Sequence, residues 1–521
     1  MDGIVMSKGM LKFTLAIVGV ILGWIMVVPA FEFPDEQAHL GTVSYLVDTG
    51  AMPSYEKQDL TQEMAQSQKL LGIFRDGLGN NLYTYHPEHH VDYVSGLIGL
   101  YEPEIKALNN PVDRDTYVGS EAAKYPPLYY RFTSLYMSMV NGSDILTRLY
   151  VSRLGGLDIA LLMAITLWNI GYLIFKKKIY ANTLTFMVML QPMISFVTAG
   201  VNSDNLHNLW FALIIYFCLR IVQNGLKLKE IIFISLTLAL DIYTKPQGFI
   251  ALPIIAIAVI IGIIRYREWK MLGLISIVGT IALFLSRSQW ESYIGLLNIG
   301  NTTGVSFIEY LRFSANKLVA QNVVWYWGVF KWLGVVLPPI YWRVANRVVL
   351  LSALGLAIYY WKIIKKRKIF AEPYAVSFML LASIVYALTI FWYDWQHTKM
   401  NGYSLGIQAR YFFPTIVAHM TILMTGIISL GWNTASRKWL RRILILLFIW
   451  LQLGGIWRII TIYYPGLSLS EIISQASQYK PIFAKGNWWY LWGGIYLVSI
   501  FYLFKNSLSS GNRTGSTQNQ E

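Results

Sequence analysis

One cysteine in 521 residues, Cys218, excludes a disulfide framework and a thiolate metal site. Charge is also scarce, at 14% of the chain, and carboxylates most of all: 28 Asp and Glu face 43 Lys and Arg, for a net charge of +15. No internal repeat is visible, which weighs against a transporter assembled from inverted repeats. Nothing resembles a cytoplasmic signalling domain, which weighs against a sensor. What is abundant is apolar surface: 55% of residues are hydrophobic and 15% aromatic, more than a water-soluble domain buries. The composition is that of a polytopic membrane protein.

Twelve nearly uncharged stretches approach the length that crosses about 30 Å of hydrocarbon. They lie near 12–31, 154–175, 179–199, 205–223, 230–244, 248–264, 271–286, 344–361, 373–393, 407–430, 442–461 and 487–505. The stretch at 230–244 is short, and 205–223 opens with polar groups. The excess positive charge does not signal nucleic acid. It sits in short clusters, KKK at 176–178, LKLK at 226–229, RYREWK at 265–270, KIIKKRK at 362–368 and SRKWLRR at 436–442. With twelve spans all five share one side, as cytoplasmic loops do, and both termini are cytoplasmic. Small residues in MVVPA, before Phe31, suit signal peptidase, but a run of nearly twenty apolar residues reads better as an uncleaved first span.

The expected organisation is a terminus and first span over 1–31, an extracytoplasmic loop over 32–143, spans over 144–286 and a second external segment over 287–343. Further spans over 344–505 and a disordered cytoplasmic tail over 506–521 complete it. Between Glu32 and Gly142 lie 15 of the 28 acidic residues, 7 of the 43 basic ones and 4 of the 7 histidines, the reverse of a cytoplasmic loop. Two stretches there read as surface helices, PDEQAHLGTVSYLVDTG closing on Gly50 and YPPLYYRFTSLYMSMVNG opening on Pro126 and Pro127. The second segment carries Trp290, Tyr293, Tyr310, Trp325, Trp327, Trp332, Tyr341 and Trp342. An interfacial belt and a sugar- or lipid-stacking surface both fit these residues.

The chemistry-bearing motifs are short. In FEFPDEQAHL, a helix starting at Pro34 places Asp35 and His39 on one face and turns Glu36 about 100° away. Either carboxylate suits a general base, and either suits a charge at a helix N-terminus. EAAKYPPLYYR places Lys124 and Arg131 around aromatic residues, for anion binding or anchoring. VNSDN reads as a polar turn carrying Asn202 and Asp204. In DIYTKPQG, Asp241 and Lys245 pair with each other or face a cavity. In GIQARYFFP, Gln408 and Tyr411 flank Arg410, which grips a phosphate or reaches lipid headgroups. TYHPEHHVDY, Thr84 to Tyr93, gathers acids and histidines on a loop, so a divalent cation is conceivable, although no metal site is assigned.

Asp35, Glu36, Lys124, Asn202, Asp204, Lys245 and Arg410 all fall at span ends on one side. A bundle that joins them sets a carboxylate base beside several cations, as transfer of a sugar from a lipid phosphate requires. The ordered motifs PDEQAH, KYPPLYY, VNSDN, TKPQG and QARYFFP, over roughly residues 10–430, resemble a bacterial family of predicted integral membrane proteins of unknown function with an early Pro-Asp-Glu-x-x-His signature. That family is similar to the GT-C superfamily of membrane glycosyltransferases. The resemblance implies an all-α, GT-C-like bundle of about 12 transmembrane helices with surface helices in its first external loop. It also implies an inverting transferase in the bacterial cytoplasmic membrane, active on the external face. The donor would be a polyprenyl-phosphate sugar and the acceptor a cell-surface glycan, teichoic-acid-like polymer or lipid. Carried over by position, Asp35 is the base, supported by Glu36 and His39. Lys124, Lys245 and Arg410 are candidate donor-phosphate contacts, and Tyr125, Asn202, Asp204, Gln408 and Tyr411 candidate substrate contacts. A lipid-linked-saccharide flippase and a glycan polymerase or ligase are the rival readings. Many GT-C transferases hold the acceptor with a soluble C-terminal domain; with only a short tail expected after the last span here, acceptor binding would fall to the two large external loops.

Overall fold

Helices occupy all twelve stretches that the apolar pattern marks. The structure, a computed structural model, describes residues 8–54, 61–74, 100–108, 121–285, 303–404 and 406–508. Among these, eight helices are long and apolar enough to cross a membrane, or nine if the bent pair Lys178–Met189 and Pro192–Ala199 is one span. The other three of the twelve expected stretches fall outside this count, which goes by length and composition only. Leu228–Ile242 and Met271–Leu285 have 15 residues each and rise only about 22 Å. Trp488–Leu508 is long enough, but it opens WWYLWGG, aromatic and glycine instead of aliphatic. The pair bends by 65° at Pro192, which has no N–H to continue the ladder, while the Gln191 side chain caps Ile194 N–H at 2.7 Å.

The chain is an all-helical multi-pass membrane protein. The strands among the described residues are one antiparallel pair, Val329–Phe330 with Val335–Val336. The first helix, Lys8–Val27, is central and packs against Ile145–Phe175, Pro192–Ala199 and Trp488–Leu508. Pro339–Ile364 and the helix Ile416–Ser429 meet backbone to backbone, because Gly355 and Gly426 leave no Cβ between them.

The basic loops gather at one end of the bundle. Lys176 Nζ donates to Gln223 Oε1 at 3.1 Å, Arg265 to the Val222 carbonyl at 3.0 Å and Lys362 to the Ser429 carbonyl at 2.7 Å. The acidic motifs lie at the opposite ends of the same helices.

Both helices expected in the first loop are present. Glu36–Thr49 stops at Gly50, with φ 70°, and Leu128–Ser138 starts behind Pro127. Part of the aromatic segment is core instead of surface. Tyr310, Trp325 and Trp327 are buried, Phe330 packs edge-on to Phe196 in the core, and Tyr341 stacks on Trp450 at 4.2 Å. Trp290 and Tyr293 lie outside the described residues.

Candidate active site

The segment after the first helix is fixed by its own carbonyls. Val28 and Pro29 accept from Arg153 at 2.9 and 2.7 Å, Val27 accepts from the Tyr464 hydroxyl at 2.7 Å, and Met26 accepts from Lys480 Nζ at 2.6 Å. Lys480 is fully buried, and burial, with the nearby Arg153 charge, pushes its ammonium well below the usual lysine range. So held, the chain turns through two non-glycine residues in the left-handed region, Phe31 (φ 62°) and Asp35 (φ 58°). Such conformations are uncommon and cluster at functional sites. Phe33 fits here because Gly200 has no Cβ to meet its ring.

The left-handed turn at Asp35 corrects the expected geometry. Helix begins at Glu36, with Asp35 as its N-cap, so Asp35 and His39 do not share a helix face. The Asp35 carboxylate instead pairs with Arg410. Glu36 turns inward and is wholly buried, with Arg153 gripping both its oxygens at 2.8 and 2.6 Å and Val201 N–H adding a 3.3 Å bond. It is a structural anion that ties the first loop to the turn before Asp204.

Four of the motifs converge. Asn202 donates to the Pro34 carbonyl at 2.9 Å and accepts from Asp204 N–H at 2.8 Å, so its side chain closes a turn and starts the Asp204–Asn224 helix. Asp204 pairs with Lys245 and lies 3.8 Å from Arg410 Nε. Lys245 follows the Leu228–Ile242 helix, and the Leu128 N–H bonds the Tyr243 carbonyl beside it at 3.1 Å. Arg410 comes from the 3-10 turn Ala409–Thr415, whose entry is set by Tyr411 N–H on the Gln408 carbonyl. Around them lies a small, partly open cleft lined by Asp204, His207, Lys245, Tyr386, Arg410 and Tyr411 among others. Buried Arg410 keeps two nitrogens, Nε and Nη1, without a hydrogen-bond partner among the described residues. Such donors suit an incoming anion.

Tyr125 stands 5.5 Å below Lys245 Nζ and stacks on the His39 ring at 5.8 Å. Tyr411 lies under both cations. Lys124 is exposed, one residue before Tyr125. His39 is buried and hydrogen-bonds the Tyr130 hydroxyl through Nδ1 at 2.9 Å. Burial lowers its pKa to about 4, against the opposing pull of Asp35 and Asp204. Below about pH 6.5 the unfolded chain protonates this histidine while the folded one does not, so stability falls as pH drops from 6.5 to 4, by about 3 kcal/mol in all. Thermal unfolding in detergent across that range should show His39→Gln losing less stability in acid than wild type. An identical acid slope would disprove the assignment.

Sequence reasoning missed two partners. Asp241 does not pair with Lys245. It accepts from His207 Nδ1 at 2.6 Å, one helical turn inside the cleft. Arg153, from the Ile145–Phe175 helix, carried no motif signal, although an arginine so near the end of an apolar run is itself a reason to look for a buried acid. Among the described residues no three His, Cys, Asp or Glu side chains gather as a metal site, and Thr84 to Tyr93 lies outside them.

A family model described as "Predicted membrane protein (DUF2142)" matches residues 18–419. The chain belongs to that family. The match takes in all five of the ordered motifs. No curated protein matches this DUF2142 chain. Among solved structures it is similar to ArnT from Cupriavidus metallidurans in the apo state, at TM-score 0.41 and 11% identity over 95% of this chain and 76% of that one. The same protein bound to undecaprenyl phosphate gives 0.41 and 12% over 96% and 78%. The archaeal oligosaccharyltransferase AglB from Archaeoglobus fulgidus, in complex with an inhibitory peptide and a dolichol-phosphate, gives 0.40 and 12% over 86% and 56%. Likenesses of this size transfer no residue role to the present chain.

Proposed function

We propose that the chain is a membrane glycosyltransferase that moves a sugar from a polyprenyl-phosphate donor to a hydroxyl of a cell-surface glycan or lipid. The observation that carries the reading is Arg410, a buried guanidinium with two unfilled nitrogens beside Lys245, at the end of the bundle remote from the basic loops. By the positive-inside rule that end is external, at the level of a lipid phosphate in the outer leaflet. The family that the ordered motifs resemble is itself similar to GT-C transferases, which supports the same reading.

The donor phosphate takes the free donors of Arg410 and the charge of Lys245. Competition for Arg410 then loosens its hold on Asp35, whose carboxylate becomes the proton acceptor. The acceptor oxygen forms its bond to the anomeric carbon, the bond from that carbon to the phosphate oxygen breaks, its electron pair stays on the lipid phosphate, and the hydroxyl proton passes to Asp35. Attack opposite the phosphate inverts the anomeric centre. Tyr125 and Tyr411 flank the cations and offer faces to the sugar, while Glu36 and His39 act by holding the loop.

The reconstituted protein, offered a panel of polyprenyl-phosphate and polyprenyl-diphosphate sugars, should consume a monophosphate-linked donor. Asp35→Asn should slow that turnover about 10²- to 10⁴-fold with donor binding retained. Consumption of a diphosphate-linked oligosaccharide alone would favour the polymerase or ligase reading. Intact donors throughout, or full activity in Asp35→Asn, would overturn the mechanism.

A further inference from the structure

The cleft holds a second ionisable pair that the transfer chemistry above does not use. His207 lines the cleft one turn into the Asp204–Asn224 helix, and its Nδ1 bonds Asp241 Oδ1 at 2.6 Å. Both residues are buried, at 2% and 0% exposure, and His207 Nε2 has no hydrogen-bond partner among the described residues. It is the third nitrogen there without a hydrogen bond among the described residues, after Nε and Nη1 of Arg410.

The formal charges decide what this nitrogen does. Asp35, Asp204 and Asp241 supply three negative charges, and Lys245 and Arg410 two positive ones. On the neighbouring helices Arg153 pairs with Glu36, Arg148 with Glu63 and Arg220 with Glu230, while Asp394 accepts from the hydroxyls of Tyr310 and Ser404. The rest of the lining is uncharged: Asn208, Gln247, Tyr386, Tyr411 and Pro414. With a neutral imidazole the cluster carries a net charge of −1, and an arriving phosphate makes it −2 or −3 in a poorly solvated site. Protonating Nε2 restores one unit of charge and converts a lone pair into a hydrogen-bond donor. Asp241 supports the resulting imidazolium. Histidine is the side chain that makes this exchange near neutral pH.

We propose that phosphate binding in this cleft is coupled to uptake of one proton at His207, so that the His207–Asp241 pair is a third phosphate contact that is created by the ligand. This rests on the lipid-phosphate reading above. Product departure returns the proton to solvent.

The test uses methyl farnesyl phosphate, a diester that keeps one charge across the accessible pH range, so any proton taken up lands on the protein. Titration calorimetry of the full chain in buffers of different ionisation enthalpy should report close to one proton gained per bound ligand. The dissociation constant should rise about tenfold per pH unit on the alkaline limb. In His207→Gln both the uptake and the limb should vanish while binding persists at reduced strength. Asp241→Asn, which removes the excess negative charge, should also lose the uptake. Wild type that binds without gaining a proton, or His207→Gln with undiminished uptake, overturns the inference and leaves the donor reading standing. Wild type that fails to bind at all overturns both.

Discussion

Arg410→Ala should abolish donor turnover, by about 10³-fold or more, with little change in folding. The magnitude follows from removing a charged, preorganised donor set from the point where the leaving phosphate gains charge. Folding should survive because the two carboxylates it serves are not stranded: Asp204 keeps Lys245, and the Asp35 side chain is 22% exposed and can hydrate. Arg410→Lys is the sharper variant. A lysine restores the charge but offers a point contact in place of a planar fork, so it cannot hold Asp35, Asp204 and a phosphate together. It should recover no more than a small part of the lost activity. Turnover of a polyprenyl-phosphate sugar, read beside the melting temperature in detergent, separates the outcomes. Undiminished turnover in Arg410→Ala would remove the phosphate grip from the mechanism.

How far the sequence reaches is clearest in this cluster. Arg410 and Asp35 are 375 residues apart, yet their meeting was legible, because alternation of spans and clustering of lysines and arginines assign every polar span end to one side. Helix positions were legible for the same reason, since apolar length is imposed by the bilayer. Their number was not, because a 15-residue apolar helix looks alike whether it crosses or lies between longer neighbours. Pairings inside the cluster were also hidden. Asp241 and Lys245 are four residues apart and look like natural partners, but Lys245 sits beyond the helix end behind an extended backbone (φ −153°, ψ 138°), which turns its ammonium to Asp204. Asp241 is left facing His207 from the neighbouring helix. Likewise the spacing of Asp35 and His39 suggested one face, and a single left-handed residue cancelled it.

The largest effect on stability should come from Arg153, and it explains why the loop bearing Asp35 has one shape. Its guanidinium bonds both Glu36 oxygens and the carbonyls of Ile25, Val28 and Pro29, and it lies 4.6 Å from the Phe33 ring and 4.4 Å from the Tyr150 ring. One side chain thus closes the end of the first helix and pins the start of the next. Arg153→Met should cost about 3–5 kcal/mol, the usual result of stranding one member of a buried pair, because Glu36 is left charged without exposure to water. The double variant Arg153→Met with Glu36→Gln should be more stable than Arg153→Met alone, because the stranded charge is gone, yet still less stable than wild type, because the helix-end carbonyls stay unfilled. Melting temperatures of the four proteins in one detergent complete the cycle. Purely additive losses would show that Arg153 and Glu36 do not act as a unit. If they do, the double variant should fold and still fail to transfer sugar, because Asp35 is then no longer held in its left-handed turn against Arg410.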